Sequence, residues 1–393
     1  MSSAVMTVCR KEVLDNARDR RTLFSTMVFG PLFGPVLFAV LVNLMLSQTL
    51  SSVDQPVQVP VVGRATAPNL MAFLERYSIE SFDGPQDLKA AETAVRSGQH
   101  EVVLVIDEDF NERFREGGDA RVTLVSDRSE IRGSAAARRV RAVLNAYTEE
   151  LRLLRLQARG ISPLVLRPLT IDEFDVSTAT GRSVALLGML TYFLLLATLM
   201  GGFYLAIDTT AGERERGSLE PLLTAPVARS SLMAGKMAAT ICYMLLSLAL
   251  TLAAFTVALA FVPLESLGMS SNFGPLVAFQ VFLILAPFTP LGAALMTLVA
   301  SFTKSYKEAQ TYLALVLLVP TLPLMVATLT NVRPNLNLMW IPSLSQHLLV
   351  TDLIKAEPIN LVFLVASEGS TLLLGAALAW LATRLYDREA LLG

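Results

Sequence analysis

The fold of this chain is decided by a stretch near its middle, residues 183–236. The first part, residues 183–207, reads SVALLGMLTYFLLLATLMGGFYLAI and contains no charged side chain. The second part, residues 208–236, reads DTTAGERERGSLEPLLTAPVARSSLMAGK and brings dense charge after the apolar run. A helix that crosses a bilayer needs about 20 mostly apolar residues. The stretch therefore predicts a spanning helix followed by a loop at the membrane surface.

Five further stretches match the first in length and apolar content. The six predicted spans are residues 22–46, 183–207, 237–264, 275–303, 309–332 and 358–383. A soluble protein can bury one such helix in its core, but six in one chain indicate a membrane protein. The sequence thus predicts an α-helical membrane protein with six transmembrane helices.

Charged residues are scarce and unevenly distributed. Only 17% of the 393 residues are charged, whereas soluble domains average about 25%. Residues 48–182 hold 17 of the 32 Lys and Arg residues and 20 of the 34 Asp and Glu residues. This distribution excludes a plain soluble enzyme. The net charge of −2 gives no basic field that would attract nucleic acid.

The short loops between the spans orient them through their Lys and Arg content. With the amino terminus inside, the inner segments are residues 1–21, 208–236, 304–308 and 384–393. Together these inner segments carry 13 basic residues, whereas the short outer loops, 265–274 and 333–357, carry two. This asymmetry predicts that both termini are cytoplasmic and that residues 48–182 face outward.

The charged segment, residues 48–182, alternates runs rich in Val and Ile with helical patterns. Strands are predicted at 57–62, 101–106 and 121–125, and helices at 69–77, 86–96, 109–115 and 129–159. This order predicts an inserted extracytoplasmic α/β domain. For its basic run Arg138-Arg139-Val-Arg141, a solvated helix face is favoured over an anion site.

Two segments on the predicted cytoplasmic side carry more specific patterns. Residues 1–21 combine a mixed helical face with a basic cluster at its end, which is typical of an interfacial helix. In the loop 208–236, Gly217 and Ser218 restart a helix whose apolar face is formed by three leucines. Those leucines are Leu219, Leu222 and Leu223. The loop predicts either a short amphipathic helix that a cytosolic partner binds or an ordinary topogenic loop.

These segments together resemble the permeases of ABC-2 type transporters. The run RDRRTLF at residues 18–24, followed by GPLF at residues 30–33, looks like the amino-terminal helix and first span of that family. The run GERERGSLEPLLTAP at residues 212–226 closely resembles the family's coupling loop and is nearest to its sodium-efflux branch, the Nat type. The topology agrees along the whole chain.

The resemblance implies six transmembrane helices of ABC-2 exporter type with the α/β domain inserted after the first. The predicted organisation is an interfacial helix (1–21), a first transmembrane helix (22–47), the extracytoplasmic domain (48–182) and transmembrane helices two to six (183–393). The last region includes the coupling loop 208–236 and an outer re-entrant segment, 334–357.

The resemblance also implies a half-transporter. Such permeases form homodimers in the lipid bilayer and bind two copies of a separate ABC ATPase, which holds ATP and Mg²⁺. The chain has no GxxxxGK[ST] phosphate loop, so no cofactor is expected on it. Carried over by position, the residues that contact the ATPase would be Glu213, Arg214, Glu215, Arg216, Leu219, Glu220, Leu222 and Leu223.

One carboxylate, Glu368, is predicted to lie near mid-bilayer within the sixth span, where an isolated charge is costly. Three interpretations remain open. Glu368 faces a cavity on the transport path, or it lies at the outer surface because residues 358–367 dip in and return, or it has a structural hydrogen-bonded role. The candidate path residues are Glu368, Ser367, Ser370, Thr371, Asn43, Gln280 and Gln310. The last three are also typical of interhelical hydrogen bonding.

The function predicted from these observations is the permease subunit of an ATP-driven ABC-2 exporter in the bacterial inner membrane, with sodium as candidate substrate. The alternatives are export of a lipid, peptide or drug, or a membrane receptor or scaffold with an outer sensing domain. The spans hold no HExxH motif, Ser–His pair or Asp pair, so no catalytic residue is expected. Cys9 and Cys242 are too far apart in sequence to predict a Cys-based metal site.

Overall fold

The structure is a computed structural model, and it divides the chain into two compact units. Met1–Leu44 and Val176–Gly393 form the first, the helical unit, and Met45–Asp175 form the second, the sheet unit. The described residues are 2–54, 56–127, 131–162, 165, 179–218, 221, 222, 224, 226–267, 272–330 and 332–386.

The chain begins with three helices that follow each other closely. They are α1 (Ser2–Arg18), α2 (Arg20–Phe24) and α3 (Gly30–Asp54), with a π-helical turn at Ser25–Phe29 between the last two. Residues Thr26–Leu44 are long and apolar enough to cross a membrane, in agreement with the predicted first span.

The sheet unit contains four strands and four helices. They are β1 (Val57–Val62), α4 (Pro68–Arg76), β2 (Ile79–Asp83), α5 (Leu88–Arg96), β3 (Val102–Ile106), α6 (Phe110–Arg115), β4 (Val122–Ser126) and α7 (Ile131–Ala158). The strand order is β2-β1-β3-β4, with β1 parallel to both neighbours and β4 antiparallel to β3. Helices α4 and α7 pack on one face and α5 on the other.

The sequence patterns located three of these strands and all four helices to within a few residues, but they missed β2. This strand reads IESFD, and only Ile79 in it is buried. Because β2 lies at the edge of the sheet, most of its side chains face solvent and it lacks the Val and Ile density of the central strands.

The remaining helices build most of the helical unit. They are α8 (Ala179–Ile207), α9 (Glu213–Glu215), α10 (Arg229–Phe261), α11 (Pro275–Leu285), α12 (Phe288–Ser301), α13 (Tyr306–Val316), α14 (Thr321–Thr330), α15 (Leu344–Ile354) and α16 (Leu361–Tyr386). Among the described residues, five helical segments are long and apolar enough to span a membrane, or six if one bent pair is counted as a span. The six predicted spans agree with this upper count.

The bent pair is α11 and α12, which together correspond to the predicted fourth span. Their axes differ by 44°, and the break falls at Ala286 and Pro287. Proline interrupts a helix because it lacks the backbone N–H and its ring clashes with the preceding turn. Pro287 therefore accounts for the bend between the two helices.

Helix α15 lies inside the predicted re-entrant segment. Its 11 residues rise about 16 Å, which is too short to cross a hydrocarbon core of about 30 Å. Most of its residues are buried, because α8, α11, α14 and α16 pack around it. The structure thus supplies the short buried helix, while its entry from the outer side stays a prediction.

Close helix packing near the middle of the unit depends on glycine. A Cβ atom on Gly202 of α8 would lie 2.7 Å from the Met244 side chain of α10. Only glycine therefore allows these two helices to approach this closely, as is common between transmembrane helices.

Candidate functional site

The first candidate site follows α8 directly and is formed by residues 208–216, called the junction below. The helix predicted to end at Ile207 continues through a π-helical stretch, Asp208–Gly212, into α9, so that a single apolar helix extends from Leu187 to Glu215. The predicted boundary at Asp208 is therefore wrong by two turns. The helix can continue past Asp208 because the next acidic residue, Glu213, is paired with a buried cation.

Glu213 forms a buried ion pair with Lys236. The exposed fraction of Glu213 is 7% and that of Lys236 is 0%. The Lys236 ammonium donates one hydrogen bond to the Glu213 carboxylate and another, 2.7 Å long, to the Thr209 carbonyl. Because buried charges are tolerated only when paired and hydrogen-bonded, the pair fixes the end of α8 against the second turn of α10.

The next two residues connect the junction to α12 and α13. The Arg214 guanidinium donates to the carbonyls of Thr303 at 2.7 Å and Ser301 at 3.0 Å, which are at the carboxyl end of α12. The Glu215 carboxylate accepts a hydrogen bond from the Tyr306 backbone N–H, at the amino end of α13. The positive Arg214 lies at a helix carboxyl end, where carbonyl groups are unpaired, and the negative Glu215 lies at a helix amino end, where N–H groups are unpaired. One turn of chain thereby binds the ends of three other helices.

Helix α1 packs on α10 beside the ion pair. A Cβ atom on Gly235 would lie 2.6 Å from the Val8 side chain. The side chain of Val8 in α1 therefore packs directly against the backbone of α10. Glu12 is 5% exposed and accepts a 3.0 Å hydrogen bond from Lys11. Partial burial lowers the pKa of Lys11, but the hydrogen bond to Glu12 and the nearby charges of Glu12, Glu213 and Asp15 together raise the pKa above its ordinary value. The amino-terminal helix thus adds charges close to Glu213.

The structure distributes the predicted ATPase contacts between the interior and the surface. Glu213 is buried and Arg214 is half-buried, whereas Glu215 and Arg216 are exposed and Leu222 is half-buried. Leu219, Glu220 and Leu223 lie outside the described residues. The contact with an ATPase stays a prediction for all eight.

The second candidate site is a polar seam between α15 and α16, formed by Ser345, Gln346, Ser367, Ser370 and Thr371. The Ser367 hydroxyl donates to the Ser345 hydroxyl at 2.7 Å, and the Gln346 amide donates to the Thr371 hydroxyl at 2.7 Å. All five side chains are buried. Three of the predicted path residues are therefore brought together by one interhelical network.

Glu368 lies beside this seam without a partner. Its two carboxylate oxygens are buried and have no hydrogen-bond partner among the described residues. Helix α16 is continuous from Leu361 to Tyr386, so residues 361–367 do not turn back, while the depth of Glu368 in the membrane stays a prediction. An unbroken helical hydrogen-bond ladder leaves no place for such a turn. Nothing in the described structure supports a hydrogen-bonded role either.

The other three predicted path residues are not part of the seam. Asn43 of α3 and Gln310 of α13 are exposed, and Gln280 of α11 is half-buried. No hydrogen bond connects any of them to Glu368 within the part of the chain that the structure describes. They lie on three different helices, and a role for them in transport stays a prediction.

The long apolar helices are those of a multi-pass membrane protein. A family model for ABC-2 family transporter proteins matches residues 20–384, and the chain belongs to that family. The ABC transporter permease protein NatB of Bacillus subtilis (strain 168) is 25% identical over 366 residues, which cover 88% of this chain and 89% of that protein. The predicted resemblance is confirmed: the chain is an ABC-2 family transporter permease.

Proposed function

We propose that this chain is the membrane subunit of an ATP-driven exporter, working as a homodimer with two copies of a separate ABC ATPase that binds ATP and Mg²⁺. The observation that carries the proposal is the junction. Its charges bond the ends of α8, α10, α12 and α13 to one another. A force on the residues after the junction would therefore be transmitted to four helices at once. An ATP-driven movement of a transport path requires such a transmission.

The surface offered to the ATPase begins where the junction becomes exposed. Arg216 is exposed and pairs with Asp208 at 2.8 Å, and Leu222 follows in the amphipathic run. The proposed contact therefore consists of Arg216, Leu222 and the neighbouring Leu219, Glu220 and Leu223. Glu213 and Arg214 act behind this surface, by holding it on the helices.

Co-purification of the ATPase tests this surface. A tagged chain carrying Arg216→Glu and Leu222→Asp should lose the ATPase and the vanadate-sensitive ATP hydrolysis that purify with the unchanged chain. Arg333→Glu provides a control, because Arg333 is exposed and lies on the predicted opposite side of the membrane. Unchanged ATP hydrolysis in the double variant, with normal membrane insertion, would show that the loop is merely topogenic.

The proposal requires that both termini are cytoplasmic and that the sheet unit faces outward, which the loop charges support. In a chain with Cys9→Ser and Cys242→Ser, a cysteine at Ser97 should react with a membrane-impermeant reagent from outside. A cysteine at Ser230 should react only after permeabilisation. The reverse labelling pattern would overturn the orientation.

Sodium is the proposed substrate. Hydroxyl, amide and carboxylate oxygens are the ligands that hard cations prefer, and the seam with Glu368 supplies all three kinds. Proteoliposomes that contain the chain and its ATPase should move ²²Na⁺ when ATP is added and should move ⁸⁶Rb⁺ much less. ATP hydrolysis without sodium movement, stimulated instead by a lipid, peptide or drug, would overturn the assignment of sodium.

A further inference from the structure

The sheet unit contains a cleft that the proposed transport function does not use. The cleft has a volume of about 920 Å³ and lies between α7 on one side and α6 with β4 on the other. This volume is within the range of small-molecule sites, roughly 300–1,000 Å³. Its floor is apolar and is formed by Leu70, Phe110, Phe114, Val122, Leu124, Leu144, Leu151 and Leu156.

The polar side of the cleft is one stripe along α7 and the residue that directly follows it. Residues Arg141, Asn145, Thr148, Arg152, Arg155 and Arg159 line it. Their spacing of four, three, four, three and four residues places them on a single helix face. The stripe extends for about 27 Å at 1.5 Å per residue. The cleft is therefore elongated, with a charged margin along an apolar floor.

The charges of the cleft are strongly unbalanced. Five arginines line it, against one acidic residue, Asp119. Arg152 pairs with Glu149 at 2.7 Å, and Arg155 donates to the Phe114 carbonyl at 3.2 Å. The side chains of the other three, Arg121, Arg141 and Arg159, form no hydrogen bond or ion pair with the residues that the structure describes. Three guanidinium groups thus remain available to an anion.

We propose that this cleft binds a single-chain amphipathic anion of the fatty-acid type. The hydrocarbon chain would lie on the leucine and phenylalanine floor, where its burial is favourable. The carboxylate would be held by Arg121, Arg141 or Arg159, because guanidinium groups bind carboxylates through paired, charge-assisted hydrogen bonds. The site is separate from the junction and the seam, and it does not depend on the proposed transport function.

Photo-crosslinking on the full chain in its membrane tests the site. The probe is a long-chain fatty acid with a diazirine, and peptide mapping should find saturable labelling within residues 110–124 and 141–159. Laurate should compete for this labelling, whereas dodecanol and dodecyltrimethylammonium should not, since they lack the negative charge. Labelling of the apolar helices should not saturate and provides an internal reference.

Two variants separate the charges from the shape of the cleft. The triple change Arg121→Gln, Arg141→Gln and Arg159→Gln should reduce saturable labelling at least about tenfold, which corresponds to about 1.4 kcal/mol. The control removes three charges outside the cleft, by Arg76→Gln, Arg96→Gln and Arg115→Gln. These arginines lie at the ends of α4, α5 and α6. Thr148→Trp should block labelling without any change of charge, because Thr148 is exposed and lines the cleft.

Three results would overturn the proposal. Labelling that persists in the triple variant would show that the arginines do not bind the probe. Equal competition by dodecanol would show that the cleft binds apolar chains without regard to charge. Labelling that appears only after Asp172, Glu173 and Asp175 are changed to Asn or Gln would show that the acidic stretch of this chain, and not a free anion, occupies the cleft.

Discussion

Two buried carboxylates of the helical unit, Glu213 and Glu368, are treated in opposite ways. Glu213 lies beside the Lys236 ammonium and accepts its hydrogen bond. Glu368 has both oxygens buried and no hydrogen-bond partner among the described residues. The Glu213 carboxylate thus has a counter-ion, whereas the Glu368 carboxylate has none among the described residues and lies next to the hydroxyl groups of the seam.

The difference separates a structural charge from a candidate ligand. A paired charge is compensated in every state of the protein, so it can hold helices together but cannot accept a cation without losing its partner. An unpaired buried carboxylate is costly unless it is protonated or meets a mobile cation. We infer that Glu213 stabilises the fold and that Glu368 serves the transported species, and the following predictions test this contrast.

The largest expected effect is from breaking the buried pair. Lys236→Met leaves Glu213 buried without its counter-ion, and removal of one partner of such a pair costs about 3–5 kcal/mol. We expect little folded protein and a strongly lowered melting temperature in detergent. The double variant Lys236→Met with Glu213→Gln should recover much of the loss, and Lys307→Met, at an exposed site, should change nothing. A stable single variant would refute the structural role of the pair.

The packing beside this pair is expected to be the next most sensitive. Gly235→Ala forces α1 away from α10, and overpacking of this kind costs typically about 1–3 kcal/mol. Burial and the neighbouring Cys242 raise the pKa of the Cys9 thiol, so displacement of α1 should lower that pKa and speed alkylation of Cys9. The rate is measured in a Cys242→Ser background.

Gly274→Ala provides the matched control for this measurement, because a Cβ atom there would meet nothing within 4 Å. Equal alkylation rates in the Gly235 and Gly274 variants would show that α1 is not held by the close contact.

Removal of the open carboxylate should leave the fold intact. Glu368→Gln keeps the shape of the side chain and breaks no described bond, so the melting temperature should stay unchanged. Sodium export in proteoliposomes should fall about tenfold or more, equivalent to about 1.4 kcal/mol. Glu357→Gln removes an exposed carboxylate and should export normally. Normal export by Glu368→Gln across pH would remove Glu368 from the transport path.

The smallest effect is expected within the polar seam. Ser345→Ala removes the hydroxyl that accepts from Ser367, and hydrogen bonds between membrane helices contribute about 0.6 kcal/mol on average. A double-mutant cycle with Ser367→Ala should give a coupling energy of this size. A coupling of several kcal/mol would place the seam in the same class as the ion pair, and the contrast between the two regions would be lost.

Sequence patterns were most informative where one physical effect dominates. The length of the apolar runs located the spans, and the Val and Ile density located β1, β3 and β4. The junction was read as a loop because Glu213 and Arg214 are charged, and charge alone does not reveal a partner elsewhere. The sequence did contain one indication of this partner, because Lys236 lies 23 residues from Glu213 at the start of the next apolar run.

The cleft of the sheet unit could not be recognised from the sequence for a related reason. The run Arg138-Arg139-Val-Arg141 drew attention because its arginines are adjacent, but only Arg141 of this run lines the cleft. Its companion Arg159 directly follows α7, 18 positions further along the chain, whereas Arg121 precedes β4 and joins the cleft through the packing of α7 on the sheet. Spacing along one helix places residues on a common face, whereas tertiary contacts decide which other residues join them.

The short sequence separation of the Glu213–Lys236 pair has a consequence for biosynthesis. A lone Lys or Asp at the centre of an inserting helix costs about 2.5–3.5 kcal/mol, but two opposite charges at the facing ends of consecutive helices can enter as a neutral hairpin. Helices α8 and α10 should therefore integrate together. Released chains that end after residue 228 should leave α8 open to protease, and released chains that end after residue 261 should protect both α8 and α10.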